Sequence, residues 1–211
     1  MSCKNAVLDM PLVSEPGEQW EYGIGIDWAG KAIERVTGKN LQSFFDENLF
    51  SPLGMRDTAF ALTADSRTRL GGVHVRLENG SLEPMAFELP QEPEFQMGGG
   101  ALYGTAADYI AFEQMFLNEG RSGSARILRP ETIRLMGQNH MGGLQVRMLP
   151  RSMPYSNDAE FFPGVIKRWG LAFMLNTQAV PGGRSANSLA WAGMLNTFNW
   201  LDPAKKLRAF S

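Results

Sequence analysis

Apolar residues recur at helical spacing through the first part of the chain and at strand spacing in the last part. Between residues 26 and 36, Ala29, Ile33 and Val36 fall on one helical face, which predicts a helix with that face inward and Gly38 as its C-cap. Asn40 is placed to cap a second helix with Leu41, Phe44, Phe45 and Leu49 on its apolar side, stopped by Pro52. Val73, Val75 and Leu77 alternate ahead of Asn79-Gly80, the pattern of a β-hairpin. Thr105 with Asp108 opens a helix carrying Tyr109, Phe112 and Phe116, closed by Gly120, and Pro130 starts a shorter one with Ile133 and Met136 inward. The stretch 155–164 reads as loop. Beyond it Trp169, Leu171, Phe173 and Leu175 alternate as one half-buried strand. Two further strands flank Asn196-Thr197, Asp202-Pro203 marks a turn, and a last strand begins at Leu207. Helices followed by antiparallel strands predict an α+β fold, an antiparallel sheet flanked by helices. The helical part covers roughly residues 20–140 and the sheet part roughly 165–211 of one domain.

Composition removes several functions from consideration. Hydrophobic residues make up 44% and charged residues 20% of the 211 positions, a globular balance. The net charge of −2 comes without a basic run, so neither a nucleic acid nor an anionic membrane is an expected partner. No apolar stretch is long enough to span a bilayer. Cys3 is the one cysteine, which excludes an internal disulfide and is compatible with a cytoplasmic protein. The two histidines, His74 and His140, sit in no ligand-spaced cluster, so no metal or cofactor is expected. A Walker-type loop and a Gly-x-Ser-x-Gly elbow are both missing from the sequence.

The informative run is Pro16-Gly17-Glu18-Gln19-Trp20-Glu21-Tyr22-Gly23-Ile24, which sets a tyrosine at the end of an extended segment just before a helix. Four further stretches follow in order: Pro52-Leu53-Gly54-Met55-Arg56-Asp57-Thr58, Gly99-Gly100-Ala101-Leu102 leading to Thr105 and Asp108, Trp169-Gly170-Leu171-Ala172-Phe173, and Trp191-Ala192-Gly193. Together they resemble the serine β-lactamase and D-alanyl-D-alanine-peptidase superfamily, in particular class C enzymes and family VIII carboxylesterases. The resemblance runs from about residue 11 to the end, and it implies a β-lactamase/transpeptidase-like fold of which this chain is the middle and C-terminal portion. It makes Tyr22 the counterpart of the general base and Trp191-Ala192-Gly193 one cleft wall. The backbone N–H of Met194 then corresponds to an oxyanion-hole donor. By the same resemblance Ile24, Gly99 and Gly100 line the substrate site, and the substrate is a small acyl ester.

The chemistry that the resemblance implies is physically coherent. A phenol with a reference pKa near about 10 acts as a base only when a cation stabilises its phenolate. In this superfamily a lysine supplies that charge, and a serine hydroxyl attacks the acyl carbon to give an acyl-enzyme. No serine of this chain has a lysine three residues on, so the Ser-x-x-Lys nucleophile is missing. With the last strand cut at Ser211, this reads as an incomplete fold, a fragment inactive on its own. Ile24 stands where penicillin-binding members carry an amide side chain, and Trp191 where lactamases favour lysine. Both changes point from anionic β-lactams toward neutral esters. Two alternatives follow from the same fold: a non-catalytic scaffold, or an acyltransferase using an alcohol in place of water.

Overall fold

The computed structural model describes residues 3–151 and 157–211. Part of the loop expected at 155–164 therefore lies outside the described residues. The remainder of it contains turns and a short antiparallel bridge between Leu149 and Ala159.

Helix α1 (Gly25–Thr37) ends where Gly38 turns left-handed, φ 69°, and donates its N–H to the Glu34 carbonyl. Its orientation departs from the expected one at two of the three apolar positions, only Ile33 being half-buried. Asp27 and Gly30 face inward, whereas Ala29 is exposed and Val36 is 86% exposed. The reason is polar pairing: Asp27 accepts from the Gly99 N–H at 2.8 Å, and Glu34 is bonded to Lys31 and to the Leu41 N–H. Those bonds fix the polar side of α1 against the loop 94–99 and α2.

Asn40 caps α2 (Leu41–Phe45) by accepting from the Ser43 N–H at 2.8 Å. Pro52 does not stop this helix. The chain widens into a single π turn, Asp46–Phe50, and continues through α3 (Ser51–Leu53), which includes Pro52, until Gly54 turns left-handed. The wider turn carries Ser51 N–H to the Asp46 carbonyl, so Pro52 enters without clashing with the preceding turn. Asp57 and Thr58, just beyond, are pinned by the Asp108 carboxylate, which accepts from the Asp57 N–H at 2.9 Å and the Thr58 hydroxyl at 2.8 Å. After a short α4 (Ala64–Thr68), β1 (Val73–Arg76) and β2 (Leu82–Met85) pair antiparallel around the Asn79-Gly80 turn. Thr105 caps α5 (Ala106–Leu117), and Gly120, φ 85°, returns its N–H to the Met115 carbonyl. A two-residue hairpin, β3 (Arg121–Ser122) and β4 (Ala125–Arg126), leads to α6 (Pro130–Met136), which begins at Pro130.

The remaining chain forms a five-stranded antiparallel sheet in sequence order. Its strands are β5 (Lys167–Trp169), β6 (Met174–Asn176), β7 (Leu189–Ala192), β8 (Phe198–Asp202) and β9 (Leu207–Phe210). The single strand expected from Trp169 to Leu175 is instead the β5–β6 hairpin, with Trp169 opposite Met174. Gly170 makes the reversal: its N–H reaches the Phe173 carbonyl, and a Cβ there would sit 2.1 Å from the Met136 carbonyl oxygen. One face of the sheet, through Leu175, Leu189 and Leu201, packs on Met115 and Phe116 of α5 together with Phe50, Leu53 and Phe173. The other face presents Met174 and Ala190 to Val146 and to a group of tryptophans. Burial of these apolar chains supplies the main folding force.

Candidate active site

The extended segment before α1 carries Trp20 and Tyr22 two residues apart, so both rings project to one side. They dock on the tryptophan face of the sheet. Trp20 lies 5.5 Å from Trp169, Tyr22 lies 5.0 Å from Trp191, and Trp169 meets Trp191 edge-on at 4.5 Å. Phe161 closes the group at 5.8 Å from Trp191. Tilted and edge-to-face rings at these separations attract one another beyond simple burial. The Tyr22 and Trp191 pair is thus brought together from opposite ends of the chain.

Tyr22 keeps 53% of its surface exposed, and no described side chain hydrogen-bonds its hydroxyl. Trp191 and Ala192 end β7 and are half-buried. Gly193 then donates its N–H to the Thr197 carbonyl at 2.8 Å, and Thr197 returns a hydroxyl bond to the Met194 carbonyl at 3.0 Å. A side chain at Gly193 would meet that hydroxyl at 2.4 Å, so the residue is glycine to close the hairpin. Leu195 and Asn196 both adopt positive φ, near 62° and 61°, as a tight β7–β8 turn requires. The Met194 N–H has no protein acceptor among the described residues and stands at the corner beside Trp191.

Ile24 sits at the N-cap of α1, where its side chain offers no oxygen to the first turn; its carbonyl accepts from the Asp27 and Trp28 N–H groups. Gly98 and Gly99 make their contacts with α1. A Cβ on Gly98 would lie 2.3 Å from the Ile26 carbonyl oxygen, and Gly99 is bonded to Asp27, so this turn anchors the helix that follows Tyr22. Gly100 follows in the same turn, half-buried. The sequence reading missed Trp169 and Phe161 as neighbours of Trp191, and Trp20 as a neighbour of Trp169. The signal available was the Trp-x-Tyr spacing, which puts both rings on one side of a strand.

The site gathers an aromatic wall, a solvent-reaching tyrosine and a backbone N–H without an acceptor among the described residues. They do not include an attacking group. The meander sheet covered by helices on one face has the serine β-lactamase/transpeptidase type of fold. The chain belongs to the Beta-lactamase family, matched over residues 4–210.

Among curated proteins, the lovastatin esterase of Penicillium rubens is 31% identical over 202 residues, covering 90% of this chain and 49% of the relative. The ML-236A carboxylate methylbutanoyltransferase mlcH of Penicillium citrinum is 31% identical over 204 residues, with 92% and 47% coverage. In structure, the unliganded selenomethionyl simvastatin synthase (LovD) from Aspergillus terreus superposes with a TM-score of 0.80 at 25% identity, over 97% of this chain and 52% of that one. The chain spans about half the length of the curated relatives it matches.

Proposed function

We propose that this chain carries the base-and-cleft half of a serine acyl-transfer enzyme, with ester hydrolysis as its reaction. Tyr22 acts as the general base, the Met194 N–H is one oxyanion donor, and Trp191, Ala192 and Gly193 form a wall against which an apolar ester lies. Ile24, Gly99 and Gly100 border the same site in this reading. The attacking serine and its lysine come from sequence outside this chain. The observation that carries the reading is the packing of the exposed Tyr22 ring on Trp191, three residues before Met194, whose N–H has no acceptor among the described residues.

The electron bookkeeping is simple. The serine oxygen forms a bond to the acyl carbon while Tyr22 takes its proton, and the alkoxide leaving group departs with a proton returned by the tyrosine. Water then repeats the sequence on the acyl-serine. A backbone donor aimed at the developing oxyanion contributes roughly 100- to 1,000-fold in rate, and the base a further 100- to 10,000-fold or so. Transfer of the acyl group to an alcohol is the second reading, supported by the methylbutanoyltransferase among the relatives.

The test uses the protein joined to a Ser-x-x-Lys-bearing partner half, assayed with a short-chain chromogenic ester and a fluorophosphonate probe. Tyr22→Phe is expected to lower kcat by about 100-fold or more. Hydrolysis by that variant at the wild-type rate removes Tyr22 from the mechanism. Added alcohol separates the readings, because an acyltransferase diverts product to the new ester.

A further inference from the structure

The segment 160–162 is fastened to the sheet side at three successive residues, each by a different kind of contact. Glu160 pairs with the Nζ of Lys167, a buried lysine at the start of β5. Phe161 lays its half-buried ring 5.8 Å from that of Trp191. Phe162 stacks with the Arg184 guanidinium, which lies 4.4 Å over its ring and 5.6 Å over that of Trp200. The two-way bridge between Leu149 and Ala159, with N–H to oxygen distances of 2.9 and 2.8 Å, holds the chain just upstream. Phe162 also takes φ 48°, in the left-handed region that bulky side chains avoid. A residue in that conformation persists only where its surroundings hold it, and such residues concentrate where a neighbouring position matters to function. The neighbour here is Phe161, against the cleft wall.

Three aromatic rings pack on Trp191. Tyr22, at 5.0 Å, is the candidate base, and Trp169, edge-on at 4.5 Å, belongs to β5. Phe161 comes from a loop, and loops are where a site changes size without disturbing its scaffold. We infer that Phe161 is the specificity-determining residue of this site, the stop that limits acyl-chain length, and that Glu160, Phe162 and Arg184 are the positioning residues that hold it there. An apolar chain that lies along the Trp191 indole meets the Phe161 ring at its end. The ligand class this selects is a short acyl ester in preference to a long one. The inference rests on the reading of Trp191 as a wall of the acyl site; it does not require the serine.

The experiment reads binding on the full chain through its tryptophan fluorescence, with methyl butanoate and methyl octanoate as probes. The wild type is expected to bind the two within about threefold of each other, because the added methylenes find no surface to cover them. Phe161→Ala should raise octanoate affinity by roughly tenfold, the gain from burying about two further methylenes, and leave butanoate affinity unchanged. Phe161→Trp enlarges the stop and should weaken octanoate but not butanoate, which keeps the experiment decisive should the alanine variant unfold. Circular dichroism checks the fold of each. Phe162→Gly suits the φ of 48° but gives up the contact with Arg184, so it should raise octanoate affinity by about threefold. Phe162→Tyr keeps a ring on the guanidinium and should restore the wild-type selectivity.

Equal octanoate affinity in the wild type, Phe161→Ala and Phe161→Trp overturns the inference. So does a wild-type chain that strongly prefers octanoate, or that binds neither ester. Wild-type selectivity in Phe162→Gly removes the positioning role of that residue. The acyl-serine reading is judged separately, on the protein joined to its Ser-x-x-Lys-bearing half. The expected binding pattern without fluorophosphonate labelling counts against that reading alone. Labelling with an acyl-length profile that Phe161→Ala does not move counts against the present inference alone.

Discussion

Glu113 offers the sharpest test of the packing between α5 and the sheet. Glu113 is 1% exposed, and neither carboxylate oxygen makes a hydrogen bond of ordinary geometry among the described residues, the Trp200 N–H being the backbone donor that acts on it. Burial raises its pKa to about 8 from an ordinary 4.5, against the opposing pull of the Arg208 charge and the Trp200 backbone N–H. Tyr109, one turn earlier on α5, is pushed upward as well, by burial first and then by the charge on Glu113. The unfolded chain releases the Glu113 proton near pH 4.5 while the folded chain holds it to about pH 8. Folding stability is therefore complete at and below the lower value and declines as pH rises through that window. The interval corresponds to a loss on the order of 5 kcal/mol, enough to consume much of a domain's stability. Asp202 shifts the opposite way, lowered by the Ser185 and Lys205 N–H groups despite its burial. Its contribution is lost only as pH falls below the ordinary aspartate range, outside the Glu113 window.

Urea unfolding of the wild type and Glu113→Gln, run at about pH 5, 6.5 and 8, measures this directly. The wild type should lose several kcal/mol across the series, and the glutamine variant should stay nearly level and exceed the wild type at the alkaline end. Parallel pH slopes for the two proteins would refute the assignment of the buried proton to Glu113.

Two further perturbations address the anchor of α1 and the core. Gly98→Ala forces a methyl to 2.3 Å from the Ile26 carbonyl and strains the Gly99 bond to Asp27. It should lower stability by about 2 kcal/mol or more in thermal melts, and an unchanged Tm would show that the turn can shift away from α1. Leu201→Ala empties a fully buried site between the sheet and α5 and should cost about 3 kcal/mol or more in urea titration. A loss well under 1 kcal/mol or so would place Leu201 outside the core.

Much of the local structure was legible because it depends on local chemistry. Gly38, Asn40, Thr105 and Pro130 mark helix ends through backbone groups within a turn of themselves, and each stands where it was expected. The Asn79-Gly80 hairpin is local in the same sense. The α1 face was misassigned because periodicity identifies two sides of a helix without saying what lies beside each; the bonds from Asp27 and Glu34 to residues distant in sequence decided it. The β5–β6 reversal was missed for a related reason. Alternation continues unchanged through a chain reversal, and only the contact of Gly170 with Met136 shows that the strand folds back. The resemblance assigned Tyr22 and Trp191 to one site, and their rings do pack together, but the aromatic ring pairs around Trp191 depend on Phe161 and Trp169 arriving from separate segments.

The strand order of the large sheet also bears on how the protein is made. Each of β5 to β9 pairs with the strand that precedes or follows it in the chain, so every hairpin closes over a connection of at most 12 residues without waiting for a distant segment. During synthesis the sheet can therefore grow one hairpin at a time as it leaves the ribosome, onto helices already made.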